Sequence, residues 1–251
     1  ENDYFLGVWC LDENEYVLTR DGFKKIKNVS VGEQVRSRKE LNIVSDKWAN
    51  PKEDVLYIET ASGESFKANF GHRVLTYKDG EFEFKKIQDL TKDDYMPVKL
   101  GTEQWGDKDI TKDSEIKNSP YLFYMLGYVL GDGWINEDGV NYCSVCYEVH
   151  STIKNFIDEN GYKSYSRQRS ENLSFYEYAI FNRKLVKYIE NLGWDISKKS
   201  KDKVIADSLL EAPKNYLCAL IGGLFDADGY ASFLEMSSKV GLKSTSLEML
   251  R

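Results

Sequence analysis

Cysteine is scarce in this 251-residue sequence: Cys10, Cys143, Cys146 and Cys218 are the four, and their spacing is not that of a disulfide framework. A secretory signal peptide is also lacking, and the two absences together point to a reducing compartment. Long hydrophobic runs are missing. The two longest, around Tyr121 to Leu130 and Leu217 to Phe225, are too short for a bilayer and are interrupted by glycines. The expectation is a soluble, cytoplasmic chain without a membrane partner. An initiating Met is absent, which is the expectation for a fragment. An overall basic excess is absent too, with a formal net charge of −7. That average does not exclude a nucleic-acid partner, because binding footprints are local. Residues 151–217 carry twelve Lys and Arg against nine acids, whereas residues 101–150 carry three against nine. With 41% apolar and 14% aromatic residues, the chain has the composition of one large folded domain or two ordinary ones.

What the sequence does have is repetition. "VLTRDGFKKIKNVSVGEQV" from Val17 and "VLTYKDGEFEFKKIQDLTKDDYMPV" from Val74 share Val-Leu-Thr, an Asp-Gly pair, Phe-Lys-Lys-Ile and a polar turn before a last apolar segment. Turn pairs at Asp21-Gly22, Ser62-Gly63 and Asp79-Gly80 separate short segments rich in Val, Ile, Tyr and Phe. Residues 10–100 are therefore expected to form an all-β domain with pseudo-twofold symmetry. Residues 101–117 are polar and aperiodic and read as a linker.

A second repeat follows. "MLGYVLGDGWI" from Met125 and "LIGGLFDADGYAS" from Leu220 are apolar stretches that each end in an aspartate and a glycine. Ser119-Pro120 and Pro213 mark the starts of the corresponding helices. Gly127 and Gly131 in one, and Gly223 and Ala227 in the other, place small residues four apart on one face, so that two backbones can approach. Pairing those faces brings Asp132 and Asp228 together. Two carboxylates at helix C-termini repel each other and both helix dipoles, a conflict that a divalent cation removes. Hard oxygen ligands favour Mg²⁺, and a metal between two acids suits phosphodiester hydrolysis. Asp226, with no acidic counterpart at Leu130, is expected in a supporting role. Between the two helices, strand-like segments flank a short helix at "STIKNFIDENG", so each unit is expected as helix, strands, helix, strands. The second copy is expected to stop after strand material and the first turns of its second helix.

"MLGYVLGDG" and "IGGLFDADG" resemble the paired motifs of LAGLIDADG homing endonucleases. "CLDENEYVLTRDGFKKI" and "GESFKANFGHRVLTY" resemble the first two blocks of the Hint splicing domain of inteins. The resemblance covers residues 10–251. It implies a multidomain chain: a horseshoe-like, all-β Hint domain over residues 10–100 and a mixed α+β endonuclease of αββαββ repeats over residues 118–251, the second repeat incomplete. Residues 1–9 would be the end of an N-extein. Cys10 would attack the carbonyl of Trp9 to form a thioester, with His72 moving the proton. Asn69 stands where such families usually carry Thr, which implies an altered site. Asp132 and Asp228 match the metal-binding acids. Lys203, in "KVIADSLLEAP", matches the basic residue before the second motif, with Ala206 where Pro is usual. Arg167, Gln168, Arg169 and Arg183 are candidate strand residues for groove or phosphate contact.

The implied activities are splicing that starts at Trp9–Cys10 and Mg²⁺-dependent cleavage of a long double-stranded DNA site by a monomer. The implied partners are DNA, flanking exteins and a complementary C-terminal intein fragment. No C-terminal His-Asn pair follows, so the chain alone is not expected to splice. Two alternatives stay open: a LAGLIDADG module that binds DNA without cutting it, and a non-splicing Hint autoprocessing protein. Cys143 and Cys146, with His150 nearby, could suggest zinc, but a single CxxC reads as a pair of buried strand cysteines. Cys218 reads as core.

Overall fold

The computed structural model describes residues 10–99, 101, 103–112, 114–168, 175–198, 200–234, 237–246 and 249; Trp9 and Arg169 lie outside the described residues. The chain divides into two units, Glu1–Gln104 and Trp105–Arg251.

Among the described residues the first unit has eight strands: β1 (Tyr16–Thr19), β2 (Gly22–Lys25), β3 (Gln34–Arg36), β4 (Leu41–Ile43), β5 (Val55–Glu59), β6 (Ser65–Asn69), β7 (Arg73–Lys78) and β8 (Glu81–Lys86). They form a sheet of order β2-β1-β3-β4 and two two-stranded sheets, β5-β6 and β7-β8. The internal sequence repeat is a structural one. Hairpins β1-β2 and β7-β8 are each followed by a single 3₁₀ turn, Ile26–Asn28 and Ile87–Asp89, entered from an extended lysine, Lys25 or Lys86. The repeated threonines are both buried, and their hydroxyls donate to backbone oxygens within their hairpins, Thr19 to Gly22 and Thr76 to Glu83. Asp79 and Gly80 both have positive φ, 53° and 92°, as a two-residue type I′ turn demands. At the other hairpin the pairing of Thr19 with Gly22 moves the turn to Arg20-Asp21, and Gly22 opens the strand instead.

The second unit begins earlier than residue 118. Residues 105–112 and 114–117, expected within a linker, pack on its core: Ile116 and Thr111 are buried, the Tyr188 hydroxyl donates to Ile110 O, and the Lys108 N–H donates to Glu211 O. Apolar residues at Ile110 and Ile116 are enough to anchor a segment whose composition is otherwise polar.

Its elements are α1 (Pro120–Asp132), β9 (Gly133–Asn136), β10 (Gly139–Ser144), α2 (Tyr147–Glu159), β11 (Ser164–Gln168), β12 (Tyr176–Phe181), α3 (Arg183–Asn191), α4 (Lys214–Asp228), β13 (Gly229–Leu234) and β14 (Ser237–Leu242). The sheet order is β11-β12-β10-β9, with β13-β14 a separate hairpin. Ser119 caps α1, accepting from the Leu122 N–H, and Pro120 occupies the first turn, where it costs no hydrogen bond. Leu122, Phe123, Met125, Leu126, Val129 and Leu130 are all buried, so α1 is a central helix with no solvent face. Helix α2 buries Val149, Ile153, Phe156 and Ile157 at helical spacing.

Two expectations need correcting here. Helix α3 was not foreseen, and it places Arg183 at a helix start, not on a strand. Cys146 and Cys218 are exposed and Cys143 is half-buried, so neither the buried pair nor the core cysteine holds. After β14, residues 243–246 are irregular with a bend at Thr245 and Met249 lies in a turn; most of the stretch expected to start a helix lies outside the described residues.

Candidate functional site

Two clusters of chemically competent residues lie in separate units. In the first unit the chain at Cys10 runs antiparallel to β6. Asn69 N–H donates to Cys10 O at 2.9 Å, and Leu11 bridges Ala68. The Cys10 N–H donates to Asn69 Oδ1 at 3.2 Å. That nitrogen belongs to the Trp9–Cys10 peptide bond. Asn69 is buried, and its Nδ2 donates to Glu53 Oε1 at 3.1 Å. Asn50 Nδ2 lies 3.0 Å from Cys10 Sγ. Burial, followed by the charge of Glu53, pushes the Cys10 thiol up, so the thiol form is favoured at neutral pH.

His72 reaches this strand through its backbone, its N–H donating to Asn69 O and its own carbonyl accepting from Ile87 N–H. Its Nδ1 is buried with no partner among the described residues, and burial pushes the imidazole down, leaving it neutral. Sequence reasoning found Cys10, Asn69 and His72. It missed Asn50 and Glu53, which sit in the aperiodic stretch "ANPKED" and carry no local signal.

In the second unit, α1 and α4 cross in contact through their glycines. A Cβ on Gly127 would lie 1.9 Å from Leu220 O, one on Gly223 2.1 Å from Tyr124 O, and one on Gly131 2.5 Å from Ala227 Cβ. Only glycine permits this approach. Both helices then pass into strands without a loop: Gly133 and Gly229 are at once the helix caps and the first strand residues, each in extended backbone and donating back to Val129 O or Phe225 O. The aspartate before each is thus the last helical residue, and the paired faces set Asp132 and Asp228 side by side.

Asp132 and Asp228 share a cleft of about 380 Å³ with Ser200, Lys243 and Thr245. Burial raises the pKa of both carboxyls, the charge of Asp228 raises Asp132 further, and Lys203 opposes both shifts. Asp226 points elsewhere: its carboxylate accepts from the Tyr124 hydroxyl at 2.6 Å, a bond between α4 and α1 that suits the supporting role expected for it.

Lys203 approaches the aspartates as a cation, but its hydrogens are directed at the end of α1. Its ammonium donates to Val129 O at 3.2 Å, Leu130 O at 2.9 Å and Gly133 O at 2.9 Å. Leu130 O, in the last turn of α1, is the kind of terminal carbonyl that a lysine side chain satisfies, whereas Val129 O also accepts from the Gly133 N–H. Burial lowers the Lys203 pKa, while Asp228 and Asp132 pull it back up. Sequence reasoning missed Lys243, a cation that lines the cleft itself.

The remaining candidates are spread over the surface. Arg167 pairs across the strands with Glu177 at 2.7 Å, and Arg183 pairs with Asp138 at 2.7 Å. Gln168 is exposed at the end of edge strand β11. Exposed ion pairs contribute little, so these arginines can exchange an acid for a phosphate at small cost.

Among the described residues, no cluster of three or more His, Cys, Asp or Glu is placed to hold a metal. The donor set that fits a divalent ion is the two-aspartate pair, which suits Mg²⁺, an ion commonly held by one or two carboxylates with water and substrate phosphate completing the shell. No helix among the described residues is long and apolar enough to cross a membrane.

No family model matches the chain. Over 232 residues it is 28% identical to the ATP-dependent DNA helicase Hel308 of Methanocaldococcus jannaschii. That alignment takes in 88% of this chain and 18% of the helicase. The chain therefore spans under a fifth of its relative's length.

Proposed function

We propose that the chain carries the Hint domain of an intein with an inserted LAGLIDADG endonuclease that hydrolyses DNA with Mg²⁺. The observation that carries the reading is the pair of aspartates, Asp132 and Asp228, set together at the ends of two glycine-apposed helices. Such a pair costs stability unless a cation joins it, and its two members come from one sequence pattern that occurs twice. When bound there, Mg²⁺ would polarise a phosphoryl oxygen and lower the pKa of a water. Asp132 and Asp228 would hold it. Lys243 would neutralise phosphate charge, and exposed Arg167, Gln168 and Arg183 would contact the DNA backbone or its grooves.

The Cys10 cluster supports the splicing half. In the proposed N–S shift, the Cys10 sulfur bonds to the Trp9 carbonyl carbon and the bond from that carbon to the Cys10 nitrogen breaks. The nitrogen takes up the proton that the thiol gives up, and the carrier proposed for it is His72, whose backbone N–H joins it to Asn69. The Cys10 N–H donates to Asn69 Oδ1.

The helicase name itself does not transfer: no Gly-Lys dipeptide, and so no G-x-x-x-x-G-K-[ST] phosphate loop, occurs in this sequence. A DNA-binding module without cleavage is the second reading, favoured by the engagement of Lys203 with three carbonyls. One assay separates them. Plasmid carrying the uninterrupted host gene is incubated with the protein and Mg²⁺, with Asp132→Asn as control. Nicking or cutting that Asp132→Asn abolishes supports the endonuclease; retained binding with no strand break supports the binding module.

A further inference from the structure

The most informative group that the proposed chemistry does not use is Glu53. Asn69 is asked to do two opposite things with one carboxamide. Toward Cys10 it meets an N–H, which can only donate; toward Glu53 it meets a carboxylate, which when ionised can only accept. An Asn side chain has two nearly isosteric orientations, and nothing in its shape prefers one. The polarity of its neighbours decides. The Glu53 carboxylate draws Nδ2 to its own side, and Oδ1 is thereby turned to the Cys10 nitrogen.

We infer that Glu53 is a positioning residue, which orients Asn69 so that its oxygen, and not its nitrogen, faces the Trp9–Cys10 amide. The inference rests on the N–S shift reading for its consequence on cleavage, but not for its consequence on the Cys10 hydrogen bond. With the carboxamide reversed, the Asn69 NH₂ would confront the Cys10 N–H, two donors in contact, and the amide would swing out of its place beside β6.

Three substitutions at the exposed Glu53 separate orientation from mere presence. Glu53→Gln keeps an oxygen that can accept from Asn69 Nδ2 and should remain within about threefold of wild type. Glu53→Ala removes the acceptor. Glu53→Lys offers only donors and should favour the reversed amide. The full chain is used, with two readouts. The first is hydrogen exchange at the Cys10 N–H: about tenfold loss of protection is expected in Glu53→Lys, less in Glu53→Ala and little in Glu53→Gln, the size of one hydrogen bond. The second is thiol-induced cleavage at Trp9–Cys10, expected to fall in the same order. If all three variants exchange and cleave like wild type, the positioning role is overturned while splicing chemistry stands. If wild type never cleaves but Glu53→Lys still deprotects the Cys10 amide, the positioning holds and the N–S shift reading falls.

Discussion

Gly222 and Gly223 are neighbours on α4, and replacing each by alanine should move stability in opposite directions. At Gly223 an added Cβ would sit 2.1 Å from Tyr124 O and 2.8 Å from Tyr128 N. An ordinary carbon–oxygen contact needs about 3.3 Å, so α1 and α4 must separate by roughly an ångström at that point. Both obstacles are backbone, which cannot rotate away, so the overpacking cost lies near the upper end of the usual range, about 3 kcal/mol. Alanine returns about 1 kcal/mol through its better helix propensity. The net loss is about 2 kcal/mol, or roughly 4–8 °C in melting temperature for a domain of this size. At Gly222 nothing lies within 4 Å of the added carbon. There only the propensity gain remains, about 0.5–1 kcal/mol of added stability. Thermal unfolding followed by circular dichroism reads both variants. If Gly223→Ala and Gly222→Ala shift the melting temperature the same way, the close helix contact is wrong, and with it the pairing of Asp132 and Asp228.

The aspartate pair also makes stability depend on pH. Because their folded pKa values are raised, the folded chain holds more protons than the unfolded one above the ordinary carboxylate range, so stability should fall as pH rises through those raised values. At neutral pH, Mg²⁺ should raise the melting temperature of wild type but not of Asp132→Asn; equal responses would remove the metal pair. Lys203→Met should lose about 1.5–3 kcal/mol by stripping a charged donor from three carbonyls, and normal stability in that variant would show that Lys203 does not cap α1. Cys10→Ala should abolish thiol-induced cleavage. In the wild-type chain, iodoacetamide at pH 8 should modify exposed Cys146 and Cys218 before Cys10, as peptide mapping will report.

The paired aspartates were legible because they depend on local spacing repeated twice: small residues four apart, then an acid and a glycine. Asp79-Gly80 was legible for a similar reason, since a two-residue hairpin turn demands positive φ at both positions. Helix α3 carried signals that strand-like neighbours obscured. Asn182 caps it by accepting from the Leu185 N–H, Leu185 and Ile189 lie one turn apart, and Gly193 follows with φ of 99°. The cysteines were misjudged because a residue type that is commonly buried says little about a given site. Asn50 and Glu53 had no signal at all. They meet Cys10 and Asn69 across 40 and 16 residues of chain, and nothing periodic encodes such an approach.

Lys203 exposes a different limit. It precedes the second helix in sequence yet serves the end of the first, so its sequence position and its structural role belong to different halves of the unit. An ammonium has three hydrogens, and three carbonyls of Val129, Leu130 and Gly133 receive them. It therefore acts on Asp132 and Asp228 as a nearby charge and not as a hydrogen-bond donor, and a phosphate could take one of its hydrogens only by uncapping α1. The end of α4 is held differently: the Lys243 backbone N–H donates to Asp228 O, while its ammonium lies over the Tyr230 ring, 5.1 Å from the centroid. That leaves the Lys243 ammonium the freer of the two cations to meet a phosphate entering the cleft. Two helices built to one pattern thus end beside unlike cations: the Lys203 ammonium holds a helix end through three carbonyls, and Lys243 lines the cleft.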